Sequence, residues 1–260
     1  MTRRRLDAEL VHRELAETRA AAQRLIAAGL VEVDGNPSPK PATMVDGAQG
    51  IRMVASDHPF VGRGGVKLAA ALDAFPVVVA ERRAIDVGAS TGGFTDCLLQ
   101  RGASSVVALD VGYGQLDWGL RQDDRVTVVE RTNVRHADPA VLGAPFDIVV
   151  ADLSFIGIAT VAVQLARLGG RDTDHIVLVK PQFEAGRGEV GKRGIVRDPE
   201  IRAAAVLAAV GALEDAGLVV KGCIPSPITG AKGNREYLLW LRRDTGGMSV
   251  DAITELVRAG

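Results

Sequence analysis

The chain is 260 residues long, 47% hydrophobic and 24% charged, an ordinary composition for a soluble globular protein of one large or two smaller domains. Its formal net charge of -1 lacks the strongly basic balance that usually marks nucleic-acid binding, so any such role must rest on where the charges sit. No apolar run approaches the roughly 18 residues of a membrane span. The segment after Arg3-Arg4-Arg5 is polar helix, not a signal-peptide core, and Cys97 and Cys223 have no spacing for a disulfide framework or a zinc site. A cytoplasmic protein without a metal is expected.

Leu6, Leu10, Val11 and Leu15 recur at helical spacing, and Ala22, Leu25 and Ile26 mark a second short helix that Gly29 stops. Thr18 sits where an N-cap would start that second helix, and Val31-Glu32-Val33 before Asp34-Gly35 predicts a small strand entering a tight turn. Arg3, Arg4, Arg5, Arg13, Arg19 and Arg24 gather on these helices, while many of the compensating acids, such as Glu32, Asp34 and Asp46, come later. One face is then basic although the sum is not; the alternative is an ordinary solvated helical face. The order Arg5-Leu6-Asp7, Leu10-Val11, Thr18-Arg19, Ala22, Leu25-Ile26, Gly29, Val31, Val33-Asp34-Gly35 and Lys40-Pro41 resembles the S-four-like RNA-binding domain, named after a small-subunit ribosomal protein and shared by pseudouridine synthases. Thr18 and Asp34 stand where serine and asparagine are common. The resemblance implies an RNA-binding domain over residues 1–56, with Arg3, Arg4, Arg5, Arg19, Arg24 and Lys40 on the RNA.

Residues 57–63 read as a linker broken by Pro59. Beyond it, 84–87, 105–109, 126–130, 148–151 and 176–179 are short apolar runs separated by helical or loop segments, which predicts a parallel sheet covered on both faces. Runs at 218–224 and 236–241 are close enough to form an antiparallel edge, and 249–258 reads as a last helix. The expected fold is α/β, a Rossmann-like seven-stranded sheet over 64–260 behind the small α+β domain.

Within it, Ile85-Asp86-Val87-Gly88-Ala89-Ser90-Thr91-Gly92-Gly93-Phe94-Thr95 reads as a strand breaking into a glycine turn that opens a helix. Backbone without Cβ atoms and free N–H groups suit a nucleotide there, although some such junctions bind nothing. The spacing is G-x-x-x-G-G, not the dinucleotide G-x-G-x-x-G, and the P-loop lysine is missing. Asp86 argues against a pyrophosphate and suits a ligand with an ammonium group, such as the methionine moiety of S-adenosylmethionine. Asp110 ends the next strand, where an acid commonly receives ribose hydroxyls or simply caps the strand.

Four charged residues remain: Lys67 where the domain begins, Asp152 past the fourth strand, Lys180 ending the fifth and Glu236 opening the last. Strand ends at the carboxyl edge of such a sheet hold its ligands, so Asp152 and Lys180 face the crevice of the glycine turn. Desolvation favours a neutral lysine, which can accept a proton from an alcohol, and the two carboxylates would orient the two lysines. A structural ion-pair network would gather the same residue types. The glycine-rich segment 183–199 carries Arg187, Lys192, Arg193 and Arg197, either for phosphate contacts or as an ordinary surface loop. Phe155 is placed to stack on an extruded base, or to fill the core.

The four residues resemble the Lys-Asp-Lys-Glu tetrad of RNA ribose 2'-O-methyltransferases related to FtsJ. Six segments carry the likeness: Val61-Gly62-Arg63-Gly64-Gly65-Val66-Lys67-Leu68, the glycine turn from Ile85 to Thr95, Asp110-Val111-Gly112-Tyr113-Gly114-Gln115-Leu116, Ala151-Asp152-Leu153-Ser154-Phe155-Ile156, Val179-Lys180-Pro181-Gln182-Phe183-Glu184 and Gly233-Asn234-Arg235-Glu236-Tyr237. With the front domain, the whole chain resembles the TlyA family of hemolysin-like ribosomal RNA methyltransferases, departing from it at Phe60 and Gly62 in the linker. The resemblance implies catalysis by Lys67, Asp152, Lys180 and Glu236, with Lys180 nearest the 2'-oxygen and Lys67 a second cation held by Glu236. It implies S-adenosylmethionine bound by Asp86, Gly88, Ala89, Ser90, Gly92, Gly93, Phe94, Thr95, Asp110, Val111, Gln115, Asn133 and Asp152. RNA contacts extend to Arg63, Phe155, Arg187 and Lys192, the target is cytidine in ribosomal RNA of both subunits, and no metal is needed. Two other readings are a methyltransferase acting on a non-RNA substrate and the membrane-lysing protein that the hemolysin name implies. For the latter the sequence offers neither a spanning segment nor a strongly amphipathic basic helix.

Overall fold

The computed structural model describes residues 3–16, 18–27, 29–37, 40–54, 58–186, 188–191, 194–230 and 232–259, apart from the side chains of Arg24 and Pro37. They fall into two compact units, Met1–Arg63 and Gly64–Gly260.

The first unit opens with β1 (Arg4–Arg5), α1 (Leu6–His12) and α2 (Arg19–Ala27), followed by β2 (Val31–Val33), β3 (Asn36–Pro37), β4 (Met44–Val45) and β5 (Ile51–Met53). Strand β1 pairs with β4, and β2 lies between β3 and β5. The helical spacing of Leu6, Leu10, Ala22 and Ile26 aims all four into one core with Val31 and Val45. Thr18 Oγ1 accepts from Ala21 N at 3.1 Å, the N-cap expected of it. Asp34 and Gly35, with φ of 51° and 79°, make the tight turn between β2 and β3.

The second unit contains α3 (Gly64–Ala74), β6 (Arg83–Val87), α4 (Gly93–Gln100), β7 (Ser105–Leu109), α5 (Trp118–Arg121), β8 (Val126–Val129), β9 (Phe146–Ala151), α6 (Ala162–Leu168), β10 (Gly169–Val179), α7 (Pro181–Glu184), α8 (Pro199–Asp215), β11 (Val219–Pro225), β12 (Tyr237–Arg242) and α9 (Val250–Ala259). Its seven-stranded sheet has the order β11-β12-β10-β9-β6-β7-β8. Period-2 alternation splits β6 between the faces: Ile85 and Val87 join the core under α6, α8 and α9, while Asp86 turns toward Thr95 of α4.

The last two strands form the expected antiparallel edge of the sheet, in an order that the sequence did not specify. Strand β12 inserts between β10 and β11, antiparallel to both, so β11 runs parallel to the remaining strands. A strand running the other way begins at the edge where its neighbours end. Tyr237 therefore pairs with Val179, which sets Glu236 beside Lys180 at the carboxyl edge.

Candidate active site

The glycine turn is built tightly against the loop after β9. Gly88 has φ +92°, and a Cβ there would lie 2.6 Å from the backbone oxygen of Asp152. Beneath the turn, Asp86 is fully buried, and its Oδ2 accepts from Thr95 N at 2.9 Å and Thr95 Oγ1 at 2.7 Å. Its Oδ1 has no partner among the described residues. Burial pushes this carboxyl up to about 7, against the Thr95 bonds and with the charges of Asp152 and Asp110 helping. Strand alternation points the side chain of Asp86, expected to meet a ligand ammonium, to the α4 side of β6, where its Oδ2 holds the first turn of α4.

At the end of β7, Asp110 Oδ2 accepts from Ser90 N at 2.8 Å and Oδ1 from Gly112 N at 2.6 Å, binding the two loops into one wall. That wall encloses a cavity of about 480 Å3 lined by Gly88, Ser90, Asp110, Val111, Gln115, Asn133 and Asp152 from the expected cofactor set. The other expected positions, Asp86, Ala89, Gly92, Gly93, Phe94 and Thr95, form the turn and the helix start behind it and do not line the cavity. Thr132, Leu153, Ser154 and Ile156, which were not among the expected positions, do line it. The rule that singled out Asp110 and Asp152, residues just past a strand's carboxyl end, also covers Thr132 and Ser154.

A second cavity of about 350 Å3 is lined by Lys67, Lys180, Lys232 and Glu236, and shares Ser154 and Phe155 with the first. Lys67, on α3, lies 2.5 Å from Glu236 Oε2, both side chains nearly buried. Lys180 Nζ lies 2.5 Å from Asp152 Oδ1 as an ion pair outside hydrogen-bonding angles, and donates its directed hydrogen bond to Ser154 Oγ at 2.9 Å. The fold thus gathers the four charged residues as two ion pairs, with Lys67, Lys180 and Glu236 on the second cavity and Asp152 on the first.

Phe155 is 90% exposed at φ +66°, its ring 5.4 Å from that of Phe183, which excludes the core alternative. A bulky residue held in the left-handed region at a cavity mouth is strained, as functional residues often are. Behind it, both carboxylate oxygens of Glu184 accept from Ile158 N at 3.0 Å, and burial pushes that carboxyl up to about 7. Asn234, also missed, accepts from Val196 N at 3.0 Å and donates to Gly194 O at 2.7 Å, pinning the loop that carries Glu236.

The model of the FtsJ-like methyltransferase family matches residues 60–243. The chain belongs to that family. A second family model, the S4 domain, matches residues 4–50 of this FtsJ-like protein. The chain is 52% identical, over 94% of its length and 91% of the relative's, to "16S/23S rRNA (cytidine-2'-O)-methyltransferase TlyA" of Mycobacterium tuberculosis. It is 40% identical to "Hemolysin A" of Brachyspira hyodysenteriae, over 90% of this chain and 98% of that one. A solved structure from Streptococcus thermophilus superposes with a TM-score of 0.77 at 38% identity, covering 100% of this chain and 96% of that one.

In the S4 unit of this FtsJ-like protein the arginines are organised by acids that the sequence reading passed over. Arg5 donates two bonds to Asp7, at 3.0 and 2.9 Å, and Arg19 and Gln23 donate to the same carboxylate at 3.1 and 2.8 Å. Arg4 and Arg13 share Glu9, at 3.1 and 2.8 Å. Two of the compensating acids, Asp7 and Glu9, lie on α1 itself. Asp7 is buried, and the Arg5 guanidinium, followed by Gln23 and Arg19, holds its carboxyl well below the usual carboxylate range despite that burial. Arg3, Lys40 and Arg63 are exposed. Arg187, Lys192 and the Arg24 side chain lie outside the described residues. No helix among the described residues is long and apolar enough to cross a membrane.

Proposed function

We propose that this chain is a cytoplasmic enzyme that transfers the methyl group of S-adenosylmethionine to the ribose 2'-hydroxyl of cytidine in ribosomal RNA, on both subunits. The observation that carries the reading is the pair of lysine–carboxylate contacts, Lys67–Glu236 on the smaller cavity and Lys180–Asp152 where it meets the larger one, the two cavities sharing Ser154 and Phe155. The larger cavity suits S-adenosylmethionine: Gly88 leaves room where a Cβ would strike backbone, and Asp110, Gln115 and Asn133 supply polar atoms for a nucleoside. When bound, that cofactor supplies a methyl group on a positively charged sulfur, which is a good leaving group.

The protein's own residues then have two tasks, placing the 2'-oxygen in line and removing its proton. Lys180 Nζ, steadied by Asp152 and Ser154, is the group assigned to the oxygen; it takes the hydroxyl proton as the neutral amine, after its own proton has passed to solvent. Lys67, held by Glu236, adds a second positive charge that stabilises the developing alkoxide. Phe155 offers an exposed ring on which an extruded base can stack. The cytidine target and both subunits rest on the 52% identity to the relative so described, and the S4 unit supplies the RNA-binding surface.

Transfer of labelled methyl from S-adenosylmethionine to purified ribosomal subunits tests the reading. Wild type should label both, and Lys180→Ala should lower the rate by at least about 100-fold, the usual share of general acid–base catalysis. No incorporation by wild type into either subunit or into free RNA would overturn the proposal; label in one subunit alone would reject its dual specificity. The membrane-lysing alternative has little support in the fold, since the apolar residues Ile253 and Val257 of the terminal helix α9 are spent in the core. Lysis of washed erythrocytes by pure protein, undiminished in Lys180→Ala, would speak for it.

A further inference from the structure

A third cavity of the methyltransferase unit, about 550 Å3, is lined by four arginines, Arg197, Arg202, Arg235 and Arg258. Arg202, on α8, is only 7% exposed; its Nη2 donates to Val257 O at 3.2 Å and its Nε has no partner among the described residues. The carboxylate of Glu200 is taken by Arg258 at 2.5 Å, and Asp198 caps α8 by accepting from Glu200 N at 2.8 Å. Among the described residues, no carboxylate is left in an ion pair with Arg197, Arg202 or Arg235. A buried guanidinium without a counter-charge is costly, and an anion entering the groove would relieve that cost.

The groove shares a wall with the tetrad. Along one loop Asn234 and Glu236 line the acceptor cavity while Gly233 and Arg235 line the groove, and along the facing loop Gly194 lines the former and Arg197 the latter. The bonds of Asn234 to Val196 N and Gly194 O fix the two loops together between the cavities. We propose that this groove binds the phosphodiester backbone of the substrate RNA next to the nucleotide whose ribose reaches Lys180. RNA is the occupant that the placement favours, because a strand leaving the acceptor cavity carries a negative charge at every nucleotide. The inference rests on the reading of the site as an RNA methyltransferase.

The test uses the full-length chain, with the exposed pair replaced in an Arg197→Ala/Arg235→Ala variant and the buried arginine in a separate Arg202→Gln variant. Binding to ribosomal RNA is measured across a salt series, with the dissociation constant for S-adenosylmethionine as the folding control. The double variant should bind RNA roughly tenfold more weakly, with the slope of log K against log salt reduced by about 1.4, near 0.7 for each lost single-strand contact. S-adenosylmethionine affinity should be unchanged in the double variant, and Arg202→Gln should weaken RNA binding wherever it keeps that affinity. Wild-type RNA affinity and slope in the double variant would overturn the proposal. So would a second outcome, in which inorganic phosphate raises the melting temperature of wild type but not of the variant while RNA affinity is equal; the groove would then serve a free anion. Wild-type protein that methylates no RNA would instead overturn the underlying reading, so the two failures are distinguishable.

Discussion

Asp86 keeps a carboxyl with one oxygen unpartnered among the described residues, in a fully buried position, and stability should register it. Burial pushes the folded-state value up to about 7, above the ordinary value of 3.8. Between roughly pH 4 and pH 7 the unfolded chain therefore gives up a proton that the folded chain retains, so stability falls as pH rises through that window and levels off above it. Glu184, also pushed up to about 7, works in the same direction. His175, buried and pushed down to about 4, works in the opposite one, losing stability as pH falls from about 6.5 toward 4. Asp86→Asn imitates the protonated acid and leaves the other two groups in place. Its urea midpoint relative to wild type should rise between pH 5 and pH 8, and parallel pH profiles for the two proteins would remove Asp86 from the linkage. The orientation of this residue was partly legible in the sequence. Ile85 and Val87 flank it as core residues on one face, so period 2 sends Asp86 to the other. What that face holds, Thr95 in the first turn of α4, depended on how the glycine turn folds back.

Apolar runs located every strand of the main sheet, because burial on both faces leaves a mark on composition, though β10 starts seven residues before its expected run, in the polar stretch from Gly169. The order of pairing leaves none, and so the insertion of β12 between β10 and β11 was not foreseen. That insertion is what brings Glu236 to Lys180, since an antiparallel strand starts where its parallel neighbours stop. The turn between β6 and α4 depends on an equally local constraint. At Gly88 an alanine would have to adopt φ +92° and place its Cβ 2.6 Å from Asp152 O, a backbone atom with little freedom to move. Gly88→Ala should cost about 1–3 kcal/mol of stability, the scale of local backbone strain. Because the displaced loop carries Asp152, methyl-donor affinity should fall by more than tenfold in calorimetric titration. Retained affinity with lowered stability would show that the approach of Gly88 to Asp152 shapes the turn but not the cavity.

The chain as a whole carries a formal charge of -1, yet its front unit concentrates arginines around two acids. The order Arg5-Leu6-Asp7 was visible in the sequence as part of a motif, but the role of Asp7 was not, because Arg19 and Gln23 return to it only after α2 folds back on α1. Asp7 thereby fixes Arg5 and Arg19 with their guanidinium groups still about half exposed, a geometry suited to phosphate contacts that position rather than read. Replacing Asp7 with asparagine separates two effects of opposite sign. The substitution makes the chain more positive, which by charge alone would strengthen binding to RNA. It also releases the two arginines from a fixed arrangement, which weakens binding. With positioning dominant, Asp7→Asn should bind ribosomal RNA about threefold or more weakly in filter binding at ~0.1 M salt, where screening acts within about 10 Å. Its affinity for S-adenosylmethionine should stay at the wild-type value, since the cofactor cavity is built wholly from the second unit. A gain in RNA affinity would instead mean that the front unit acts through its charge sum, and that the shared carboxylate serves the fold of α1 and α2 alone.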